Sequence, residues 1–138
     1  MSDSQPMKAR WLMLLPVLAA SVVLYWLSSI PQLVTPDLGF SWQDKFYHAI
    51  AYFVYGIAVQ VAVVAWSRPT TPKRLVAVVV ILIGSLYGLS DEVHQTTVVG
   101  RDGSLADLAA DIVGVTSSVV LLPKVRRTLR LLQHRTYR

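Results

Sequence analysis

Asp44 and His48 stand four residues apart, Asp91 stands three before His94 and four before Gln95, and Asp107 and Asp111 are again four apart. Residues at those intervals share one face of a helix. Three short sets therefore offer carboxylates, imidazoles and an amide to one place, if the helices that carry them end together. Three kinds of chemistry suit such a group. Carboxylates and imidazole favour a divalent cation that activates water or positions a phosphate, with Asp91, Glu92, His94, Asp107 and Asp111 as candidate ligands. Asp-Glu-x-His-Gln matches neither a zincin helix nor a calcium loop, so the spacing itself names no metal.

In the second chemistry Lys45 and Arg101 hold the phosphate of an anionic lipid or lipid-linked sugar, Arg by a forked contact. His48 or His94 would then handle protons near neutral pH. In the third, Lys45 and Arg101 only pair with Asp44, Asp91, Asp107 or Asp111 in a buried network that fixes how helices meet. Seven acids against two bases at this end leave a surplus that pairing does not neutralise, which favours a ligand.

The elements that must position these residues are apolar. Of 138 residues 54% are hydrophobic and 15% charged, and the mean hydropathy is +0.49, a membrane composition. About 20 apolar residues cross a bilayer core of about 30 Å. Four blocks of that length occupy 11–30, 46–66, 75–95 and 104–122, so the expected fold is an all-α bundle of four transmembrane helices spanning 11–122. A polar leader, 1–10, precedes it and a basic tail, 123–138, follows. The first block is longer than the apolar region of a signal peptide and ends in Ser-Ser-Ile-Pro without a clear cleavage site, so it reads as a retained span. Pro16 lies within it and predicts a kink. Pro31, Pro36, Asp37 and Gly39 mark the 31–45 segment as a loop, Ser104 suits a helix N-cap, and Pro123 reads as the stop of the fourth span.

Alternating the loops between two faces collects Lys8, Arg10, Arg68, Lys73, Arg74, Lys124, Arg126, Arg127, Arg130, Arg135 and Arg138 on one side, and leaves Lys45 and Arg101 on the other. Positive loops stay in the cytoplasm, which places both termini there and the acidic group outside. The net charge of +5 follows from this topology and not from nucleic acid; the tail arginines, with His134 given no role, anchor to anionic headgroups. Gly84 and Gly88 form G-x-x-x-G, a pattern for packing inside the bundle or for an oligomer face. Asp111 would lie about 10 Å below Ser104 and must be partnered or protonated, with Tyr52, Tyr55, Tyr87 and Ser118 on the same faces as hydroxyl donors. Zero cysteines exclude disulfides and thiolate chemistry.

Three motifs in order carry a resemblance: Asp44-Lys45-x-x-His48-x-x-x-Tyr52, Tyr87-x-x-x-Asp91-Glu92-x-His94-Gln95, and Gly100-Arg101-x-Gly-Ser-x-x-Asp107 with Gly114. They resemble the VanZ-like family of small bacterial membrane proteins, across about half the chain. Asp111 stands where the family has Asn, and Val99 where Pro often precedes the Gly-Arg pair. The resemblance implies a multi-pass protein of the bacterial cytoplasmic membrane and a cell-envelope role; the founding member is associated with glycopeptide antibiotic resistance. The sequence expectation is a site of Asp44, Lys45, His48, Tyr52, Tyr87, Asp91, Glu92, Gln95, Arg101 and Asp107 that binds, and in one reading acts on, an anionic or isoprenoid-linked lipid. His48 and Glu92 would be general acid and base, with Asp91 and Asp107 orienting. A structural or partner-binding protein is the alternative. A small ion-coupled carrier is third, because the inner halves of the helices offer little beyond Gln60.

Overall fold

The computed structural model describes residues 7–136, with side chains as far as Leu132. The segment before Met7 and the side chains of His134, Arg135 and Arg138 therefore lie outside the described residues. Every regular element is helical: α1 Met7–Leu12, α2 Leu15–Ser28, α3 Gln43–Trp66, α4 Lys73–Gln95, α5 Leu105–Ser118, a 3-10 turn Val119–Leu121, and α6 Leu122–Thr136. Among the described residues four helical runs, the first and last interrupted by tighter turns, are long and apolar enough to cross a membrane: Met7–Ser28, Gln43–Trp66, Lys73–Gln95 and Leu105–Leu132.

The central element is α3, against which every other helix packs. Its partner at closest range is α5. Gly114 permits this, because a Cβ there would collide with the backbone carbonyl of Ala49 and crowd the amide of Phe53. The core formed around that crossing is small and specific: Tyr52, Tyr55, Val59, Val76, Val80, Val115 and Leu122. Gly84 and Gly88 face inward as well, Gly84 against Val115 and Gly88 against Asp111 and Tyr52. The oligomer face considered for this pair is thus filled by α5 of the same chain.

Pro16 acts as its chemistry requires. The first run breaks at Met13 and Leu14, whose amides bond to Arg10 and Trp11 in tighter turns, and α2 restarts with Pro16 in its first turn. Pro123 corrects the sequence reading. It does not stop the fourth span but takes the second position of α6, where its missing N–H costs nothing. Without that N–H, Val119 carbonyl takes the amide of Leu122 and the helix tightens to 3-10. The carbonyl of Ser118, deprived of Leu122, accepts instead from Gln60 Nε2 at 3.0 Å; the same nitrogen donates to Ser118 Oγ, also at 3.0 Å. Gln60, the isolated polar residue in the middle of α3, is therefore a splint for this joint. On α6, Leu122, Val125, Arg126 and Leu129 turn toward the bundle, and Arg126 donates to the carbonyl of Thr71 at 2.8 Å.

A second correction concerns the start of α3. The helix begins at Gln43, three residues before the apolar block, so Asp44 and Lys45 belong to its first turn and not to the loop. An acid there meets the positive end of the helix dipole. The 29–42 segment closes the same end of the bundle: Gly39 donates to Asp37 Oδ1 at 2.8 Å, Leu38 to Gln43 Oε1 at 2.7 Å, and the Tyr47 hydroxyl to Pro36 carbonyl at 3.0 Å.

Candidate functional site

The first turns of α3 and α5 and the last turn of α4 meet at one end of the bundle, and their charged side chains form two tiers. In the outer tier Lys45 Nζ lies 2.8 Å from Asp107 Oδ1 and 3.2 Å from Asp44 Oδ2. Asp44 is open to solvent whereas Asp107 is buried. In the inner tier His48 Nδ1 lies 2.9 Å from Asp111 Oδ1 and 3.8 Å from Glu92 Oε1. Asp111 has no exposed surface, as its depth on the fourth span predicted, and its partner is His48.

Local structure aims each group. Ser104 caps α5, its Oγ accepting from Ala106 at 3.2 Å and Asp107 at 3.3 Å, as its residue type predicted. The Ser104 amide in turn donates to Glu92 Oε2 at 2.7 Å. Within one helix a capping box uses an acid three residues on for this bond; here the acid comes from another helix. No local spacing could have announced it. This bond fixes one Glu92 oxygen and directs the other, Oε1, toward His48, where it is buried with no hydrogen-bond partner. Asp111 Oδ2 is likewise buried without one.

Beside the tiers lies a cavity of about 410 Å³ between α2, α3 and the 33–36 segment. Leu24, Leu27, Leu33, Val34 and Ile50 belong to its apolar lining, and Asp44, His48, Tyr52, Asp91, Gln95 and Arg101 contribute polar groups to the same lining. Gly100, at φ +77°, makes the tight turn in which the Arg101 amide bonds to Val98 carbonyl at 3.1 Å and by which Arg101 reaches the cavity. Among the described residues the guanidinium of Arg101 has no hydrogen bond or ion pair.

The structure thus brings together Asp44, Lys45, His48, Glu92, Asp107 and Asp111 in the tiers, and Tyr52, Asp91, Gln95 and Arg101 at the cavity. It does not bring in His94. That ring stacks on Tyr25 of α2, centroids 4.6 Å apart, and its Nε2 lies 2.9 Å from Ser29 Oγ. Asp91 is not among the donors that converge on His48. Of the hydroxyls expected to serve the acids, Tyr87 donates to Ser21 carbonyl at 2.6 Å, Tyr55 accepts from Ser21 Oγ at 3.3 Å, and Ser118 donates to Val115 carbonyl at 2.7 Å. The two tyrosines brace α2 instead, and Ser118 bonds within its own helix, because Ser21 and the α5 backbone supply nearer partners. No protein-family model, curated protein or solved structure matches the chain.

Proposed function

We propose that the chain is a VanZ-like multi-pass protein of the bacterial cytoplasmic membrane that binds an anionic or isoprenoid-linked envelope lipid at its outward end. The carrying observation is the cavity: a lining rich in apolar side chains that also holds an arginine with no protein partner. An amphiphile suits that shape, its tail along Leu24, Leu27 and Ile50 and its phosphate forked by Arg101. Asp44, Asp91 and Gln95 would accept from hydroxyl or ammonium groups of the head. Lys45, already held by Asp107 and absent from the cavity lining, does not contact the phosphate directly. His48, which lines the cavity and pairs with Asp111, is the group able to move a proton if the lipid is also a substrate.

Native mass spectrometry from a lipid-like detergent tests the reading. The wild type should retain an anionic lipid that a well-folded Arg101→Ala variant loses; equal retention by both would refute it. Orientation has its own test, because the chain lacks cysteine. Val99→Cys, on an exposed turn, should react with an impermeant maleimide in intact cells, and Arg127→Cys only after lysis.

One observation favours a second reading. The Lys45–Asp107 ion pair and the His48–Asp111 hydrogen bond join α3 to α5 whether or not a ligand binds. A purely structural network predicts that no lipid is retained and that Arg101→Ala changes nothing.

A further inference from the structure

We infer that His48, Glu92 and Asp111 form a binding site for a single divalent transition-metal ion, of the kind Zn²⁺ or Mn²⁺ represents. The three donors come from three different helices, and their ligand atoms all lie within 4.8 Å of one another. Rigid elements hold each of them, which is what a metal site needs. This inference does not rest on lipid binding.

Two observations point to an ion beyond the clustering of acids. Glu92 Oε1 and Asp111 Oδ2 are both buried, and neither has a hydrogen-bond partner. Buried polar atoms are nearly always satisfied, so an unsatisfied pair on adjacent carboxylates points to a bound cation or a shared proton. The second is the balance of charge. Lys45 is committed to Asp44 and Asp107 in the outer tier. The inner tier is left with two carboxylates and one imidazole, which is negative even when His48 is protonated. A divalent ion on neutral His48 and two carboxylates has no net charge, which suits carboxylates that are themselves buried.

The donor set narrows the ion. One imidazole with two carboxylates excludes the thiolate-preferring metals and fits Zn²⁺ or Mn²⁺ better than Ca²⁺, which takes oxygen alone. Donors about 2.0–2.2 Å from such an ion stand roughly 3–3.5 Å apart. His48 Nδ1 and Asp111 Oδ1 are at 2.9 Å and His48 Nδ1 and Glu92 Oε1 at 3.8 Å, so small side-chain rotations complete the set. Binding would replace the proton between His48 and Asp111. Gly88 backs the site, since a Cβ there would press on Asp111 Oδ2 at 3.1 Å. The remaining positions of the ion would be open toward the cavity, which His48 also lines.

The test uses the full chain with a histidine-free tag, stripped with chelator in detergent and dialysed against micromolar Zn²⁺, with metal counted by elemental mass spectrometry. One ion per chain is expected. Glu92→Gln and Asp111→Asn should each weaken binding at least tenfold, while Asp44→Asn, Asp91→Asn and His94→Ala bind as the wild type does. Absence of binding by the wild type, or binding unchanged in both Glu92→Gln and Asp111→Asn, overturns the site; the first result would mean a shared proton satisfies the orphan oxygens. Should those variants fail to fold, X-ray absorption of the zinc-loaded wild type decides. A shell of one imidazole and oxygens that persists when His94 and His134 are both replaced supports the site. Two imidazoles, none, or a shell lost with that replacement overturns it.

Discussion

Lys45 Nζ and Asp107 Oδ1, 2.8 Å apart, join the first turn of α3 to the first turn of α5 across the mouth of the charged cluster. Asp107 is buried and Lys45 half exposed, so the two ends of this pair are not equivalent. Lys45→Ala leaves a buried carboxylate with no cation, whereas Asp107→Asn leaves a lysine that can turn to water. The lysine variant should therefore lose more stability, about 1–3 kcal/mol. Thermal unfolding in detergent with both variants measures the order, and a larger loss for Asp107→Asn would contradict it.

Gly114→Ala should be the most damaging single methyl addition in the bundle. The new carbon meets the Ala49 backbone, which cannot rotate aside as a side chain can. A cost of about 3 kcal/mol or more is expected, since overpacking that shifts backbone lies at the upper end of such effects. Yield of monodisperse protein and its unfolding midpoint report it.

The Gln60 splint predicts a coupling. Gln60→Leu should destabilise by about 1–3 kcal/mol, because the Ser118 carbonyl is then buried without a donor. Pro123→Ala restores an N–H, allowing Val119 to accept from residue 123 and Ser118 from Leu122. In that background the same Gln60→Leu change should cost less. A double-mutant cycle on unfolding measures the difference; strict additivity would show that Pro123 does not create the need for Gln60.

His94→Ala and Tyr87→Phe should loosen α2 without altering ligand retention. One loses the stack on Tyr25, the other a bond to Ser21 carbonyl, each worth about 1 kcal/mol. Native mass spectrometry should find the same adduct as in the wild type, while protease cleavage in the first helical run becomes faster.

The four long apolar helical runs were legible because runs of apolar residues need only be long. Their ends were not. Hydropathy begins at Phe46, but helix geometry begins at Gln43, where polar residues gain from the helix terminus. Pro123 read as a stop because proline usually is one, and only the neighbouring turn reveals it as a first-turn residue. In the site, spacing of four set Asp44 and His48 on one face of α3 and Asp107 and Asp111 on one face of α5, and those faces meet. It misled at His94, which is two residues from Glu92 and so about 200° around the helix. That angle sends Glu92 toward α5 and His94 toward α2. Tertiary acceptors such as Ser21 carbonyl carry no mark in sequence, so the tyrosines could not be assigned.

The joint at Val119–Leu121 bears on how the protein would meet bilayers of different thickness. Helix α5 has 14 residues and rises about 21 Å, whereas the run from Leu105 to Leu132 has 28 and rises about 42 Å. One is too short for a hydrocarbon core of about 30 Å and the other too long. Hydrophobic mismatch is ordinarily relieved by tilting a whole helix. Here the close crossing at Gly114 would resist tilt of α5 against α3, which leaves the 3-10 segment as the place for the chain to yield. A thinner or thicker membrane would then be accommodated at the α6 end, and the charged tiers at the other end would keep their depth.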